Sequence, residues 1–286
     1  MPPPALLLLG GVSVQLGAAL AKQLFDRLPP TAVVFLRLAT SAVVLCVLGR
    51  RALRGVLRRH SRRDLAVAAG FGLTLATMNF AIYQSFARIP LGIAVTIEFL
   101  GPLAVSIATS RRLLDALWAV LAFGGVILLA RGGGDVTGAG VAFGLLAGAC
   151  WALYIMLSAA TGQRFPGATG LAVASVVGTV AILPPGVAAG GAALLHPAWL
   201  LIGVGVGLLS SVIPYSLELE ALRRMPPRVF GIFMSLDPAF AALIGLVVLG
   251  EVLDAREWLA IGCVIVACAG ATRSRPDRPR PPPPDA

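Results

Sequence analysis

The chain has 286 residues, of which 58% are hydrophobic and 13% charged, with a mean hydropathy of +0.90. A soluble domain carries about a quarter charged residues, so this composition excludes an ordinary globular protein and points to one that uses a bilayer as its solvent. The formal net charge of +10 would suit a nucleic-acid partner, but the cations sit in loops between apolar segments and need no such partner.

A helix needs roughly 20 apolar residues to cross about 30 Å of hydrocarbon. Ten segments meet that requirement, near 4–25, 31–49, 65–86, 91–110, 113–131, 139–159, 168–189, 198–221, 228–249 and 255–272. The turn signals "DRLPP", "ARIP", "RGGGD", "RFPG", "LLHP" and "RRMPPR" separate them. The opening "MPPPALLLLG" lacks the basic region of a secretory signal, so the first segment reads as a retained helix. The four cysteines, Cys46, Cys150, Cys263 and Cys268, fall inside apolar segments without metal-ligand spacing and read as small packing residues. No metal or cofactor is expected. Residues 273–286, "RSRPDRPRPPPPDA", are basic and proline-rich and are expected to form a solvated cytoplasmic tail.

The cations are unevenly shared between alternate loops. One set, with the tail, holds 17 Arg residues, while the other holds four Arg and Lys22. That asymmetry predicts both termini in the cytoplasm. It makes the arginine runs topology signals and contacts for anionic lipid.

The two halves of the chain resemble each other. At an offset of 139, Gly92, Ile93, Glu98, Leu114, Asp115 and Ala116 match Gly231, Ile232, Asp237, Leu253, Asp254 and Ala255. Upstream, "FARIP" (Phe86–Pro90) pairs with "LRRMP" (Leu222–Pro226) after a small gap. Five helices per half is an odd number, so the halves must cross the membrane in opposite senses. The expected fold is therefore all-α and membrane-embedded, with ten transmembrane helices as two inverted five-helix repeats, 1–134 and 135–272. Such repeats typify secondary transporters, whose sites lie near midplane between them.

Few charges fall inside the apolar segments, namely Lys22, Arg37, Glu98, Glu218 and Asp237, with Glu220 nearer an end. Each costs about 2.5–3.5 kcal/mol at a helix centre on insertion scales. They must therefore pair, line water or lose their charge. Prolines accompany the acids. Pro102 leaves the Glu98 carbonyl without its helical partner, Pro238 does the same to Met234, and Pro214 to Ser210, just ahead of Tyr215 and Glu218. Freed backbone groups survive in a membrane only where protein or a water-filled cavity satisfies them.

Other polar residues keep helical register. Gln15 and Lys22 are seven apart, Asn79 and Tyr83 four apart, and Trp151, Tyr154 and Ser158 follow i, i+3, i+7. The aromatics are equally compatible with core packing. Lys22 stands alone among 22 Arg, which suggests that lysine chemistry is wanted there.

The segments "GAALAKQLFD", "FLRLA", "MNFAIYQS", "PLGIAVTIEFLGPLAV", "SRR", "GACWALYI", "PYSLELEAL" and "MSLDPAFAALIGLVVLGE" resemble the drug/metabolite transporter superfamily in its ten-helix, EamA-type form. Within it they are similar to the inner-membrane threonine/homoserine exporter subfamily, over about residues 10–272. Asp237 departs from the pattern, since that subfamily more often has Glu there. The resemblance implies proton-driven export of a small zwitterion across a bacterial cytoplasmic membrane by alternating access, with no cofactor. Lys22 and Arg37 would face the substrate carboxylate, and an acid and tyrosines its ammonium group. Asn79, Tyr83, Trp151, Tyr154, Tyr215 and Glu218 would complete the site, and Glu98 and Asp237 would carry the proton. A same-fold exporter of another metabolite or a cationic drug is the alternative. A membrane-embedded enzyme is more remote, since His60 and His196 lie in loops on opposite sides and no H-E-x-x-H occurs. The sequence holds no signal for oligomeric state.

Overall fold

A computed structural model describes residues 1–56, 60–108, 113–130, 136–166 and 168–273. The proline-rich tail beyond Arg273 lies outside the described residues. Those residues form helices and connecting turns, without a strand among them.

The helices follow the apolar segments in order. They are α1 (Pro3–Leu24), α2 (Pro30–Leu48) and α3 (Arg62–Phe86), then α4 (Leu91–Glu98) and α5 (Leu100–Ala108) as two pieces of one span, and α6 (Leu113–Ala130). The second half holds α7 (Gly138–Gly162), α8 (Thr169–Gly190), the pair α9 (Pro197–Gly207) and α10 (Ile213–Arg224), the pair α11 (Pro227–Met234) and α12 (Asp237–Ile244), and α13 (Ala255–Arg273). Among the described residues, nine spans are long and apolar enough to cross a membrane, and α6 contributes a shorter apolar stretch, Ala116–Leu129. This is a multi-pass membrane protein.

Local chemistry sets the ends. α1, α2 and α9 each carry proline in the first turn, where no N–H is missed and φ is already helical. α3 begins with a capping box, Asp64 N–H donating to Ser61 Oγ and Ser61 N–H to Asp64 Oδ2, both at 3.1 Å. Thr137 Oγ1 caps α7 by accepting from Gly140 N–H at 3.1 Å.

Three spans are broken. The break between α4 and α5 falls at Phe99, and that between α11 and α12 at Ser235–Leu236. α9 passes into α10 through a wide π turn, Leu208–Val212, and a second π turn, Gly245–Leu249, follows α12. The prolines do not themselves mark the breaks. Pro102, Pro214 and Pro238 lie in the opening turns of α5, α10 and α12. A proline removes the hydrogen bond to a carbonyl four residues earlier, so the discontinuity appears upstream and the proline then starts the next piece.

The helices pack α3 on α7 and α8, α2 on α8 and α9, α6 on α13, α1 on α10 and α12, and α4 on α7 and α12. Small residues make the close approaches, as in membrane bundles generally. At the α5–α7 crossing, a Cβ on Gly101 would overlap the Gly148 carbonyl, and one on Gly148 would come within 2.9 Å of the Glu98 carbonyl oxygen. The carbonyl that Pro102 frees is thus pressed against a neighbouring glycine. Large apolar side chains such as Val120, Leu146 and Val247 remain exposed on the outside, as a lipid-facing surface requires.

Candidate functional site

The three breaks converge on one region. Arg37, midway along α2, is held by Tyr83 of α3 and by the π turn. Its Nη1 donates to the Tyr83 hydroxyl at 3.4 Å and its Nη2 to the Ser210 carbonyl at 3.2 Å. The guanidinium also lies 5.5 Å from the Tyr83 ring centroid, within cation–π range. The Ser210 carbonyl is the one that Pro214 frees. Its neighbour, the Leu209 carbonyl, accepts from Ser13 Oγ at 2.8 Å. Side chains of α1 and α2 therefore satisfy the backbone that the π turn exposes.

Three acids belong to the same region, and Glu98 is the one in range of Arg37. Glu98 ends α4, Glu218 lies on α10 and Asp237 opens α12. Arg37 is within Coulombic range of Glu98 and Tyr215, and Asp237 within range of Glu218 and Glu98. Tyr154 of α7 is near Tyr215 and Glu218. Among the described residues, none of the three carboxylates has a hydrogen-bonding or ion-pair partner. Arg37 Nε is likewise buried and unpaired. Tyr215 keeps 38% of its surface open and lies within Coulombic range of Arg37, Glu98 and Glu218. α1 makes room for the acids with glycines, since a Cβ on Gly11 would lie 2.8 Å from Asp237 Oδ1. This arrangement suits a ligand that offers both an anionic and a cationic end.

The remaining residues of the sequence-derived set are distributed around it. Trp151 packs edge-on against Phe99 at the first break, with ring centroids 4.8 Å apart. Tyr154 packs on Phe71 at 5.0 Å. Asn79 is buried and donates within its own helix, Nδ2 to the Leu75 carbonyl at 2.8 Å.

Lys22 is not brought together with Arg37. It lies at the far end of α1, where its Nζ pairs with Glu251 Oε1 at 2.6 Å and donates to the Ile89 carbonyl at 2.8 Å. Glu251 Oε2 accepts the Leu91 N–H that opens α4, also at 2.8 Å. Sequence reading overlooked Glu251 because it follows the last apolar residue of its span and looks like a loop acid. The lone lysine was the available signal, since a cation inside an apolar span implies a partner. Ser13, Gln15 and Ser210 were also underrated. Gln15 Oε1 and Ser210 Oγ are buried and unpaired.

A helical membrane bundle with broken spans around a mixed-charge centre defines a transporter rather than an enzyme. Residues 138–273 match the EamA-like transporter family. The chain belongs to that family, in the branch of the threonine/homoserine exporters called RhtA. It is 39% identical over 273 residues to the threonine/homoserine exporter RhtA of Escherichia coli K12, covering 94% of this chain and 91% of that protein. It is 40% identical over 275 residues to the threonine/homoserine exporter RhtA of Salmonella typhimurium LT2, with the same coverage. A solved crystal structure of a protein shares the fold, with a TM-score of 0.62 at 19% identity, over 94% of this chain and 96% of that one.

Proposed function

We propose that this protein is a secondary active exporter of small amino acids of the threonine/homoserine kind, coupled to protons and working by alternating access. The observation that carries the reading is the centre itself. A buried arginine with an unpaired donor lies in range of Glu98, which in turn is grouped with Glu218 and Asp237, and none of the three carboxylates has a hydrogen-bonding or ion-pair partner among the described residues. An α-amino acid supplies the missing charges at both ends. Its carboxylate would join Arg37, displacing none of the existing hydrogen bonds, and its ammonium group would sit among Glu98, Glu218 and the tyrosines Tyr154 and Tyr215. When the site is empty, Glu98 and Asp237 would take up protons, which removes the cost of leaving charge unpaired in hydrocarbon. The similarity to RhtA exporters supports the choice of amino acid.

Alternating access would come from two inverted repeats rocking about the site, within a bacterial cytoplasmic membrane and with both termini in the cytoplasm. The packing supports that symmetry. Exchanging the first five spans with the second five carries the contact of α3 with α7 onto that of α10 with α1. It carries α1 with α12 onto α7 with α4, and leaves the α2–α8, α6–α13 and α4–α12 pairs unchanged.

Counterflow in proteoliposomes, with a panel of labelled amino acids, tests the reading. Exchange of threonine or homoserine under a proton gradient is expected, and exchange that is indifferent to the gradient would remove the proton from the mechanism. A second reading, a cationic substrate, is favoured by three acids against one arginine in the centre. Protection of cells against lipophilic cations rather than toxic amino-acid analogues would select it.

A further inference from the structure

The ion pair at the end of α1 is not used by the central site. Its four polar groups form a set of two donors and two acceptors. Lys22 Nζ and the Leu91 N–H are donors, while the Glu251 carboxylate and the Ile89 carbonyl are acceptors. The two charged side chains are 2.6 Å apart, and each also holds a backbone group at 2.8 Å. The pair is partly open, with side-chain exposures of 22% for Lys22 and 14% for Glu251. Three segments meet there, namely the last turn of α1, the turn leading into α4 and the turn that follows the second π turn. Between this pair and the central acids the helices are closely packed, with every residue of Leu91–Ile97 buried.

We propose that Lys22, Glu251 and the backbone of Ile89 and Leu91 form a second subsite, on the exit path, for the α-amino and α-carboxyl groups of the transported amino acid. The protein's own ion pair stands in for the substrate when the path is shut. An arriving zwitterion offers a carboxylate to Lys22 Nζ and the Leu91 N–H, and an ammonium group to Glu251 and the Ile89 carbonyl. Each protein charge exchanges one opposite charge for another, so the pair opens without leaving a bare ion. The ligand is defined by its two charged ends and not by its side chain. An amine or a carboxylic acid alone replaces only one partner, leaves the other charge exposed, and opens the pair poorly.

The inference rests on the amino-acid transport reading above, and on Lys22 lying at the extracytoplasmic face. Counterflow of labelled threonine is measured in vesicles of both orientations, so that half-saturation is obtained separately for each face. Lys22→Met and Glu251→Gln are expected to raise the half-saturation concentration about tenfold at the Lys22 face, the loss of one charged hydrogen bond. At the opposite face it should change less than about twofold, and that value also reports that the variant is folded. Addition of the amine or the acid analogue alone should fail to compete at the Lys22 face. Equal changes at both faces, no change at either, or competition by a single-charge analogue would overturn the subsite. Wild-type protein that exchanges no amino acid from either face would instead overturn the transport reading on which it stands.

Discussion

Two broken spans carry an acid at matching places in the sequence, yet they are built differently. In Leu91–Ala108 the acid closes the first piece, and α4 is buried over Leu91–Ile97. Its start is capped by Glu251 and its continuation is pressed backbone to backbone on Gly148. In Pro227–Leu249 the acid opens the second piece. Residues 229–234 of α11 are exposed or half-exposed, and a Cβ on Gly231 would lie 2.7 Å from the tip of the Thr272 side chain. The difference shows that a shared break need not mean shared rigidity. The first piece of the first span, α4, is gripped along its length, and α11 of the second has room to shift, although α12 beyond it is packed on Gly92 through the Ala242 backbone.

The sharpest way to break the comparison is to neutralise each acid. Glu98→Gln and Asp237→Asn are both expected to lower threonine efflux from energised vesicles by about 100-fold, the size usual for losing a group that handles the proton. If one variant exports at the wild-type rate, the two acids are not equivalent partners in coupling. Next in size is packing. Gly101→Ala forces two backbones apart and should destabilise the protein by about 1–3 kcal/mol, seen as a lower midpoint of thermal unfolding in detergent. Gly231→Ala asks only that a threonine side chain turn, and should shift that midpoint much less. Equal shifts would mean that the second span is gripped as firmly as the first.

The third break gives a smaller effect. Pro214→Ala returns an N–H to the opening turn of α10, where it competes for backbone acceptors that now serve Ser13 and Arg37. The half-saturation concentration for threonine is expected to rise about fivefold, one hydrogen bond to a charged group being worth ~1.5 kcal/mol or less when partly replaced. The smallest change is expected from Tyr83→Phe. It removes a 3.4 Å contact to Arg37 but keeps the ring beneath the guanidinium, so about a threefold rise is expected. A larger loss in direct binding measurements would mean that the hydroxyl touches the substrate itself.

Much of the bundle was legible in the sequence because hydrocarbon thickness and turn residues act locally. The segment expected near 139–159 is the helix Gly138–Gly162, and that near 255–272 is Ala255–Arg273. The breaks were legible only to within a few residues, since proline reports a missing hydrogen bond and not where the chain yields to it. The centre was partly legible. Isolated charges in apolar helices pointed to Arg37, Glu98, Glu218 and Asp237, and Pro214 pointed to the Ser210 carbonyl to which Arg37 donates. Lys22 was legible as unusual but not as separate. Its distance from Arg37 is set by how α1 leans against the Glu251 turn, a tertiary fact with no trace in local pattern. Glu251 itself was hidden by its place just past an apolar run.

The contact of Gly101 with Gly148 bears on how this protein tolerates change. Both partners are main chain, so no compensating substitution on one helix can make room for a side chain on the other. In a saturation library scored for surviving efflux, these two positions would therefore stand out as columns open to a single residue. The lipid-facing positions around them, such as Leu145 and Leu146, would accept most apolar replacements. Directed evolution of substrate choice would then find its usable variation in α11 and have little to gain at the Gly101–Gly148 crossing.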